Sequence, residues 1–254
     1  MAELFLRFDI VGPMAHFRKF YSNSSSLSYS VPPRTVLMGI VAAVLGYDLD
    51  VYCEKLSVQQ ARIGVALQGS VRSIMQTVNY LATDENDWHG VKQRTQIPVE
   101  LVLPPRGRTC LRYRVYFQHY DDALTERLYN QLMRREYCYP ISLGLAGCLA
   151  WAEEPHLYKL DEVYRVQDPQ GPLEIRTVTP VLRLVEFPPL EQLKGNQIRR
   201  DTMPLDLDAM RQPKPPLGTI TVLWEANGHP LPLHIRGEIF RLPDQEYYGC
   251  FLEV

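Results

Sequence analysis

The sequence predicts an α+β fold: a ferredoxin-like or RRM core with a long β-hairpin thumb, followed by a C-terminal β-rich region. Three observations lead to this prediction. Strand, helix, strands, helix and strand patterns follow one another over residues 1–160, which is the ferredoxin-like order. A polar stretch between two strand patterns indicates an extended hairpin. From residue 161 to residue 254, short strand patterns replace helical ones.

The first elements are a strand over Leu4–Val11 and a helix that follows Pro33. Apolar residues alternate along the strand, and proline suits the first turn of a helix. Residues Arg34–Leu45 are apolar nearly all round, which predicts a buried helix packed on a sheet. Gly39, in the middle of this helix, costs about 1 kcal/mol relative to alanine unless another backbone packs closely there.

The next strand patterns form the predicted hairpin. Ala61–Gln68 and Val71–Ala82 are rich in β-forming residues, and Thr95–Leu103 returns after a polar stretch. We therefore place the thumb at about residues 76–103, with its polar tip between the two strands.

A turn and a second helix complete the predicted core. Pro104–Gly107 is a strong turn signal, and Thr109–Phe117 alternates like a strand. Ala123–Tyr137 carries leucines at i, i+4 and i+8, which is typical of an amphipathic helix. Tyr139–Trp151 is apolar and interrupted by glycines, and it predicts a loop that leads into a strand.

The β-rich region has three predicted strands, at Glu174–Glu186, Gly218–Trp224 and Leu233–Leu242. The first two are separated by the proline-rich stretch Phe187–Leu217. A stretch of this length without regular structure is typical of functional or partner-bound loops, so we predict a proline-rich loop there.

Composition excludes several classes of protein. At 46% hydrophobic and 22% charged residues, the 254-residue chain resembles an ordinary globular protein. A charged beginning and the lack of an apolar run of about 18 residues predict a cytoplasmic protein without membrane contact. Five scattered cysteines and six histidines show neither C-x-x-C nor metal-ligand spacing, which predicts reduced thiols, no metal and no cofactor.

The stretch from Gly12 to Tyr47 carries the main functional signal. A basic and aromatic cluster is followed by the hydroxyl-rich run Ser22–Ser30. Cations, flat rings and small hydrogen-bond donors in one place favour a nucleic-acid strand as ligand. Residues 1–120 hold 13 Lys and Arg against 9 Asp and Glu, whereas residues 121–254 hold 14 against 20, so the basic excess lies with this stretch.

The basic residues leave several alternatives open. Lys92 and Arg94 fit a solvated hairpin as well as an RNA clamp. The arginines around the predicted turn fit a phosphate-tracking stripe or the wet face of an edge strand: Arg106, Arg108, Arg112 and Arg114. Arg199 and Arg200 fit either a partner surface or nucleic acid.

A metal-free ribonuclease is the enzymatic alternative. Such an enzyme needs a general base, a general acid and a cation near the phosphate. His16 with Lys19 and Tyr21 offers these groups, as does His89 with Lys92. We favour the simpler interpretation that these histidines lie on solvated loops.

Several motifs together resemble the CRISPR-associated Cas-five family of the RAMP superfamily, most closely its type I-B branch. The matching residues are Phe8, Gly12, Ala15–Lys19, Ser28–Ser30, Pro32–Thr35, Gly39, Leu45–Gly46, Thr95–Leu101, Tyr139–Gly147, Ala150 and Arg199–Pro204. The resemblance implies an RRM-like core with a hairpin thumb and a place in the Cascade complex of antiviral defence. There the family binds and caps the 5′ handle of the crRNA and helps to position the large subunit that reads the PAM.

The resemblance also implies partners and site residues. The partners would be the crRNA 5′ handle, a backbone Cas-seven-type subunit, a large Cas-eight-type subunit and target DNA near the PAM. One family branch, in type I-C systems, cuts precursor crRNA with a tyrosine, lysine and histidine set that we cannot place here, so we predict no catalytic residue. The predicted RNA contacts are Arg18, Lys19, Tyr21, Ser24, Ser28, Tyr29, Arg34, Lys92, Arg94, Arg106, Arg108, Gly144, Gly147, Arg199 and Arg200. A protein-binding scaffold is a third hypothesis.

Overall fold

The structure is a computed structural model that describes residues 3–22, 26–81, 94–189, 191, 193–208, 210–214 and 218–253. In chain order, the elements of the first half are β1 (Leu4–Gly12), β2 (Phe17–Arg18), β3 (Ser28–Tyr29), α1 (Arg34–Leu45), α2 (Tyr52–Lys55), β4 (Ala61–Leu67), β5 (Arg72–Leu81), β6 (Arg94–Leu103), β7 (Leu111–His119), α3 (Asp122–Arg134) and β8 (Trp151–Lys159). Those of the second half are β9 (Tyr164–Gln167), β10 (Leu173–Ile175), β11 (Thr179–Pro180), β12 (Leu184–Glu186), β13 (Ile198–Pro204), β14 (Thr219–Glu225), β15 (Leu231–Ile235) and β16 (Glu238–Arg241).

One antiparallel sheet of order β4-β7-β1-β8 organises the first half. Residues Leu6, Phe8 and Ile10 of β1 pack with the buried residues of α1 and α3 on one face. On the other face, Phe5 contacts Phe240 and Phe251 of the second half. The α+β class is therefore confirmed, and the strands and helices of this sheet follow the predicted order.

Helix α1 is largely buried, as its sequence predicts, and it ends at a left-handed residue. Gly46 has φ 73°, and its N–H bonds to the carbonyl of Ala42. Positive φ is easy for glycine because it has no Cβ. Around Gly39, no described atom lies within 4 Å of the place of a Cβ, so no backbone of the described chain packs on it.

Strands β5 and β6 form the predicted hairpin, paired from Arg72 with Leu103 to Leu81 with Arg94. The predicted tip falls on residues 82–93, which lie outside the described residues. The base of the hairpin is bonded to the chain after β1. Ala15 and Val102 exchange backbone hydrogen bonds of 2.9 and 2.8 Å, which fixes the hairpin against the core.

The second half corrects three predictions, of which one is the strand Leu233–Leu242, which is divided into β15 and β16. The stretch Phe187–Leu217, predicted to lack regular structure, contains β13, which pairs with β14 along seven positions. Its described prolines lie outside the strand or at its last position, Pro204, so they leave the ladder intact. The predicted single strand Glu174–Glu186 is broken into β10, β11 and β12. Between β11 and β12, the buried Arg183 bonds to the carbonyls of Arg236 and Glu238 and holds a 3-10 turn.

Two further findings concern the cysteines and membrane-spanning helices. All five cysteines are unpaired in the structure. Within the described ranges, no helix has the length and apolarity needed to cross a membrane.

Candidate nucleic-acid interface

A polar cavity of about 440 Å³ lies between the β2–β3 hairpin, the base of the β5–β6 hairpin and β13. We call it the basic groove. Four cationic side chains line it: Lys19, Arg72, Arg199 and Arg200. Its walls also carry small hydrogen-bonding groups from Ser30, Ser73, Gln197 and Asn227. Two acidic residues, Glu100 and Asp201, also line it, so the groove combines four cationic residues with two acids and neutral polar groups.

Lys19 is held in the groove by Asp201 of β13. Its Nζ lies 2.7 Å from a carboxylate oxygen of Asp201, and the hydroxyl of Tyr21 donates to the other oxygen at 2.9 Å. The ammonium also lies 5.4 Å from the ring centre of Tyr29. Burial by itself lowers the pKa of Lys19, but the bonds and charges of Asp201 and Tyr21 together raise it above its ordinary value. Lys19 therefore stays charged.

Tyr21 is a half-exposed ring with a fixed hydroxyl. Burial and the carboxylate of Asp201 raise the pKa of Tyr21, so the phenol stays protonated at neutral pH. Its ring remains open to solvent, with an exposed fraction of 50%. Tyr21 can therefore offer a flat face to a base but not a phenolate to a reaction.

Ser28 and Tyr29, which we predicted as RNA contacts, lie in the core instead. The Ser28 hydroxyl donates to the carbonyl of Tyr29 and accepts from the N–H of Phe17. The Tyr29 hydroxyl donates to the carbonyl of Thr202 at 2.7 Å. Both side chains are buried because β3 pairs with β2 and lies against β6, so they shape the loop and their predicted contact with RNA is corrected.

Arg34 is likewise a structural residue rather than a phosphate contact. Its side chain is fully buried, pairs with the carboxylate of Glu253 and lies 3.6 Å from that of Asp206. It also donates to the carbonyls of Leu56 and Ala61 at 3.0 and 2.8 Å. The prediction failed because a cation beside a serine run looks solvent-facing in sequence, whereas the acids that bind it are far along the chain.

Arg18, Arg106 and Arg108 are exposed but lie outside the basic groove. Arg108 lines a separate cavity of about 350 Å³ at the turn before β7. Ser24 and Lys92 lie outside the described residues, as does the side chain of Arg94. These predicted contacts stay predictions.

The alternatives for Arg112 and Arg114 are resolved by Asp9. This carboxylate is 1% exposed and accepts from Arg112 at 2.9 Å and from Arg114 at 2.8 Å. Arg112 also pairs with Glu153. The two arginines therefore neutralise a buried acid on the sheet and do not form a free phosphate-binding stripe.

The glycine loop after α3 packs against the start of the β2–β3 hairpin. Gly144 has φ 94°, and a Cβ there would lie 1.9 Å from the carbonyl oxygen of His16. The N–H of His16 in turn bonds to the carbonyl of Leu143 at 2.9 Å. Gly147 has open space around its Cα. Gly144 therefore serves close packing, and only Gly147 retains the freedom of an exposed loop residue.

His16 is 2% exposed, and both ring nitrogens have partners. Nδ1 lies 2.7 Å from the carbonyl oxygen of Glu100, and Nε2 lies 2.8 Å from the hydroxyl of Ser26. The histidine links the loop to the base of the β5–β6 hairpin. A general base must reach its substrate, so this arrangement speaks against His16 in that role.

Comparison with known proteins decides the family. The chain matches the family model described as CRISPR-associated protein (Cas_Cas5) over residues 5–151. The chain belongs to the Cas5 family. The predicted recognition is therefore confirmed at the level of the family, and a search of curated proteins finds no significant relative.

A solved structure shares the fold of this Cas5-family chain at low sequence identity, and two further matches have lower TM-scores. A CRISPR protein from Archaeoglobus fulgidus superposes with a TM-score of 0.55 at 11% identity, over 97% of this chain and 99% of that one. A chain of a CRISPR RNA-guided surveillance complex gives a TM-score of 0.43 at 15% identity, over 97% of this chain and 96% of that one. A chain of the type III-B Cmr-beta complex bound to cognate target RNA gives a TM-score of 0.49 at 10% identity, over 88% of this chain and 86% of that one.

The part of the groove that sequence reasoning missed lies mostly outside the Cas5 family match. Gln197, Trp224 and Asn227 belong to β13, β14 and their flanking turns, beyond residue 151. Arg72 begins β5 and carries no motif. Arg199 and Arg200 carried a signal because they are adjacent cations, whereas isolated amides and one tryptophan carry none until tertiary pairing brings them together.

Proposed function

We propose that this Cas5-family protein is a non-catalytic subunit of a type I CRISPR Cascade complex that binds and caps the 5′ handle of the crRNA. The basic groove is the observation that carries the proposal. Single-stranded RNA binds where cations follow its phosphates and small donors meet its 2′-hydroxyls. Lys19, Arg199 and Arg200, all predicted as RNA contacts, lie together on this groove.

The position of the groove supports a handle-binding role. Its walls come from the β2–β3 hairpin and from the base of the β5–β6 hairpin, which are joined by the hydrogen bonds of Ala15 and His16. An RNA strand in the groove would therefore meet the thumb as it leaves.

The proposal includes partners. The chain would contact a backbone Cas-seven-type subunit and a large Cas-eight-type subunit, and through the latter target DNA near the PAM, in an arrangement of the type I-B kind. These partners follow from the family resemblance. Exposed hydrophobic side chains outside the groove, among them Leu182 and Phe187, offer surface for protein contacts.

The test is to express the tagged full chain together with the genes that flank it and to sequence the 5′ ends of the RNA that co-purifies. We expect reads that share one repeat-derived 5′ segment. Arg199→Ala/Arg200→Ala should reduce this RNA at least tenfold, whereas Arg134→Ala/Arg165→Ala, which removes two exposed arginines outside the groove, should not. RNA without a common 5′ segment would contradict handle binding.

A separate experiment tests the competing ribonuclease hypothesis. Purified chain is incubated with repeat RNA in EDTA, in parallel with His16→Ala. Since both nitrogens of His16 are engaged within the protein, we expect intact RNA with both proteins. Specific cleavage that the substitution abolishes would overturn the non-catalytic role.

A further inference from the structure

Trp224 on β14 is a buried residue with an unpaired donor. It is 5% exposed, and its Nε1 is buried without a hydrogen-bond partner among the described residues. Buried indole N–H groups usually have an acceptor, and leaving one without costs about 1–3 kcal/mol. An unpaired buried donor beside a ligand cavity suggests that the ligand brings the acceptor.

Trp224 lies on the wall of the basic groove, next to its cations. It pairs directly opposite Arg199 across the β13–β14 ladder, and cross-strand partners point to the same face of a sheet. Gln197 and Asn227 also line the groove. An exposed cation, Arg199, therefore lies directly across the ladder from the indole with the unpaired donor.

This end of the groove is built rigidly around Glu225. The fully buried carboxylate accepts from the backbone N–H groups of Gln197, Asn227 and His229 at 2.7–2.9 Å. It also accepts from the side-chain amide of Asn227 at 3.1 Å. These bonds hold the backbone beside Trp224 in place.

We propose that this end of the groove reads one nucleobase of the bound strand and that Trp224 Nε1 is the specificity-determining donor. The inference rests on the proposed function, since it requires RNA in the groove. An indole N–H can only donate a hydrogen bond. It therefore favours a base that presents a carbonyl oxygen to it and disfavours a base that presents an amino group at the same position. At position 4 of a pyrimidine or position 6 of a purine, uracil and guanine carry a carbonyl oxygen, whereas cytosine and adenine carry an amino group.

The dimensions and the charge fit one nucleotide. The groove volume of about 440 Å³ falls within the range of about 300–1,000 Å³ that small-molecule pockets occupy. Arg199, directly across the ladder from Trp224, is exposed and can take the phosphate of the same nucleotide. Because β13 and β14 lie beyond the family match, the match itself does not imply this base readout.

The test compares single-stranded octanucleotides U8, C8 and A8 on the full chain by fluorescence anisotropy. A base that leaves the buried indole donor unsatisfied forfeits about 1–3 kcal/mol, or roughly five- to 150-fold. We expect the wild type to prefer U8 over C8 and A8 by at least fivefold. Trp224→Phe, which keeps a ring but removes the N–H, should abolish the preference through weaker U8 binding, with C8 affinity unchanged. Trp151→Phe is the control, since its Nε1 already donates to Glu153.

A second measurement covers the case in which Trp224→Phe folds poorly. In ¹⁵N-labelled wild type, which has three tryptophans, the Trp224 indole N–H resonance should move downfield with U8 and stay in place with C8. Wild-type binding without base preference, together with an unmoved indole resonance, would overturn the inference alone. Failure to bind any of the three RNAs would instead overturn the proposed function as well.

Discussion

The ammonium of Lys19 lies 2.7 Å from the carboxylate of Asp201, which joins the β2–β3 hairpin to β13 across the basic groove. Both side chains are mostly buried, with exposed fractions of 20% and 16%. The pair fixes one wall of the groove, but it also places a negative charge where we propose that phosphates bind. Asp201 therefore stabilises the fold and opposes the ligand.

Asp201→Asn should strengthen RNA binding and weaken the fold. The substitution removes a negative charge that repels the phosphates of RNA. We expect it to raise the affinity for U8 about fivefold at low salt, which corresponds to about 1 kcal/mol. Loss of the bonds to Lys19 and Tyr21 should lower the free energy of unfolding by about 1–2 kcal/mol. Anisotropy titrations and urea unfolding check the two effects.

Asp161→Asn provides the charge-matched control, because Asp161 is exposed and lies outside the groove. It should leave the affinity and the unfolding free energy unchanged. Weaker RNA binding by Asp201→Asn, in a folded protein, would show that Asp201 positions Lys19 rather than competing with phosphate.

Gly144→Ala should destabilise the protein, whereas Gly147→Ala in the same loop should not. At Gly144 a methyl group would collide with the carbonyl of His16, and its φ of 94° is unfavourable for alanine. We expect a loss of about 2 kcal/mol or more of unfolding free energy in Gly144→Ala and a change within about 0.5 kcal/mol in Gly147→Ala. Equal melting temperatures of the two variants would refute the packing role of Gly144.

Arg34→Met should have a lower free energy of unfolding than the wild type, because it leaves Glu253 and Asp206 in the interior without their cation. Removal of one partner of a buried ion pair costs about 3–5 kcal/mol. Urea unfolding measures the loss, and Arg134→Met, at an exposed arginine, serves as the comparison. If Arg34→Met keeps wild-type stability but loses RNA affinity, then Arg34 is a phosphate contact after all.

Glu225→Gln should lower stability in a pH-dependent way. Burial opposes the charge of Glu225, but the N–H groups of His229, Gln197 and Asn227 bond to the carboxylate, and its pKa lies below the ordinary value. A lowered folded-state pKa adds stability that is present above the unfolded-state pKa of about 4.3 and is lost as pH falls through the folded-state pKa. We expect Glu225→Gln to lose about 2–3 kcal/mol at pH 7, and less as the pH falls below 4.

Unfolding curves from pH 7 to pH 3 measure the difference in free energy of unfolding between wild type and Glu225→Gln, which should shrink as the pH falls. Glu174→Gln, at an exposed glutamate, should track the wild type throughout. A gap that stays constant over this range would show that the carboxylate charge of Glu225 is not what stabilises the turn.

Local patterns were enough to predict the first half of the fold. Helix α1 begins at Arg34, as the position of Pro33 indicates, and the hairpin strands β5 and β6 lie close to their predicted places. These elements have short-range signals: turn residues, strand alternation and a nearly uniform apolar helix. Strand β13 was missed because nearby prolines and adjacent arginines resemble a loop, and only pairing with β14 makes it a strand.

The candidate site was predicted in part for the same reason. Lys19, Arg199 and Arg200 are recognisable as cations, yet sequence alone could not show that they share one groove. Arg34 was assigned wrongly because the acids that bury it, Asp206 and Glu253, are more than 170 residues away in the chain. Burial and long-range charge pairing are tertiary properties, so they appear only when the chain is folded.

The salt dependence of RNA binding tests the central claim most directly. The affinity of the full chain for U8 should be measured at several salt concentrations, for wild type, Arg199→Ala/Arg200→Ala and Arg134→Ala/Arg165→Ala. Each phosphate contact on a single strand contributes about 0.7 to the slope of log K against log salt. We predict that the Arg199/Arg200 variant loses affinity and that its slope flattens by about 1.4, while the control keeps both. An unchanged slope and affinity in the Arg199/Arg200 variant would contradict RNA binding in the basic groove.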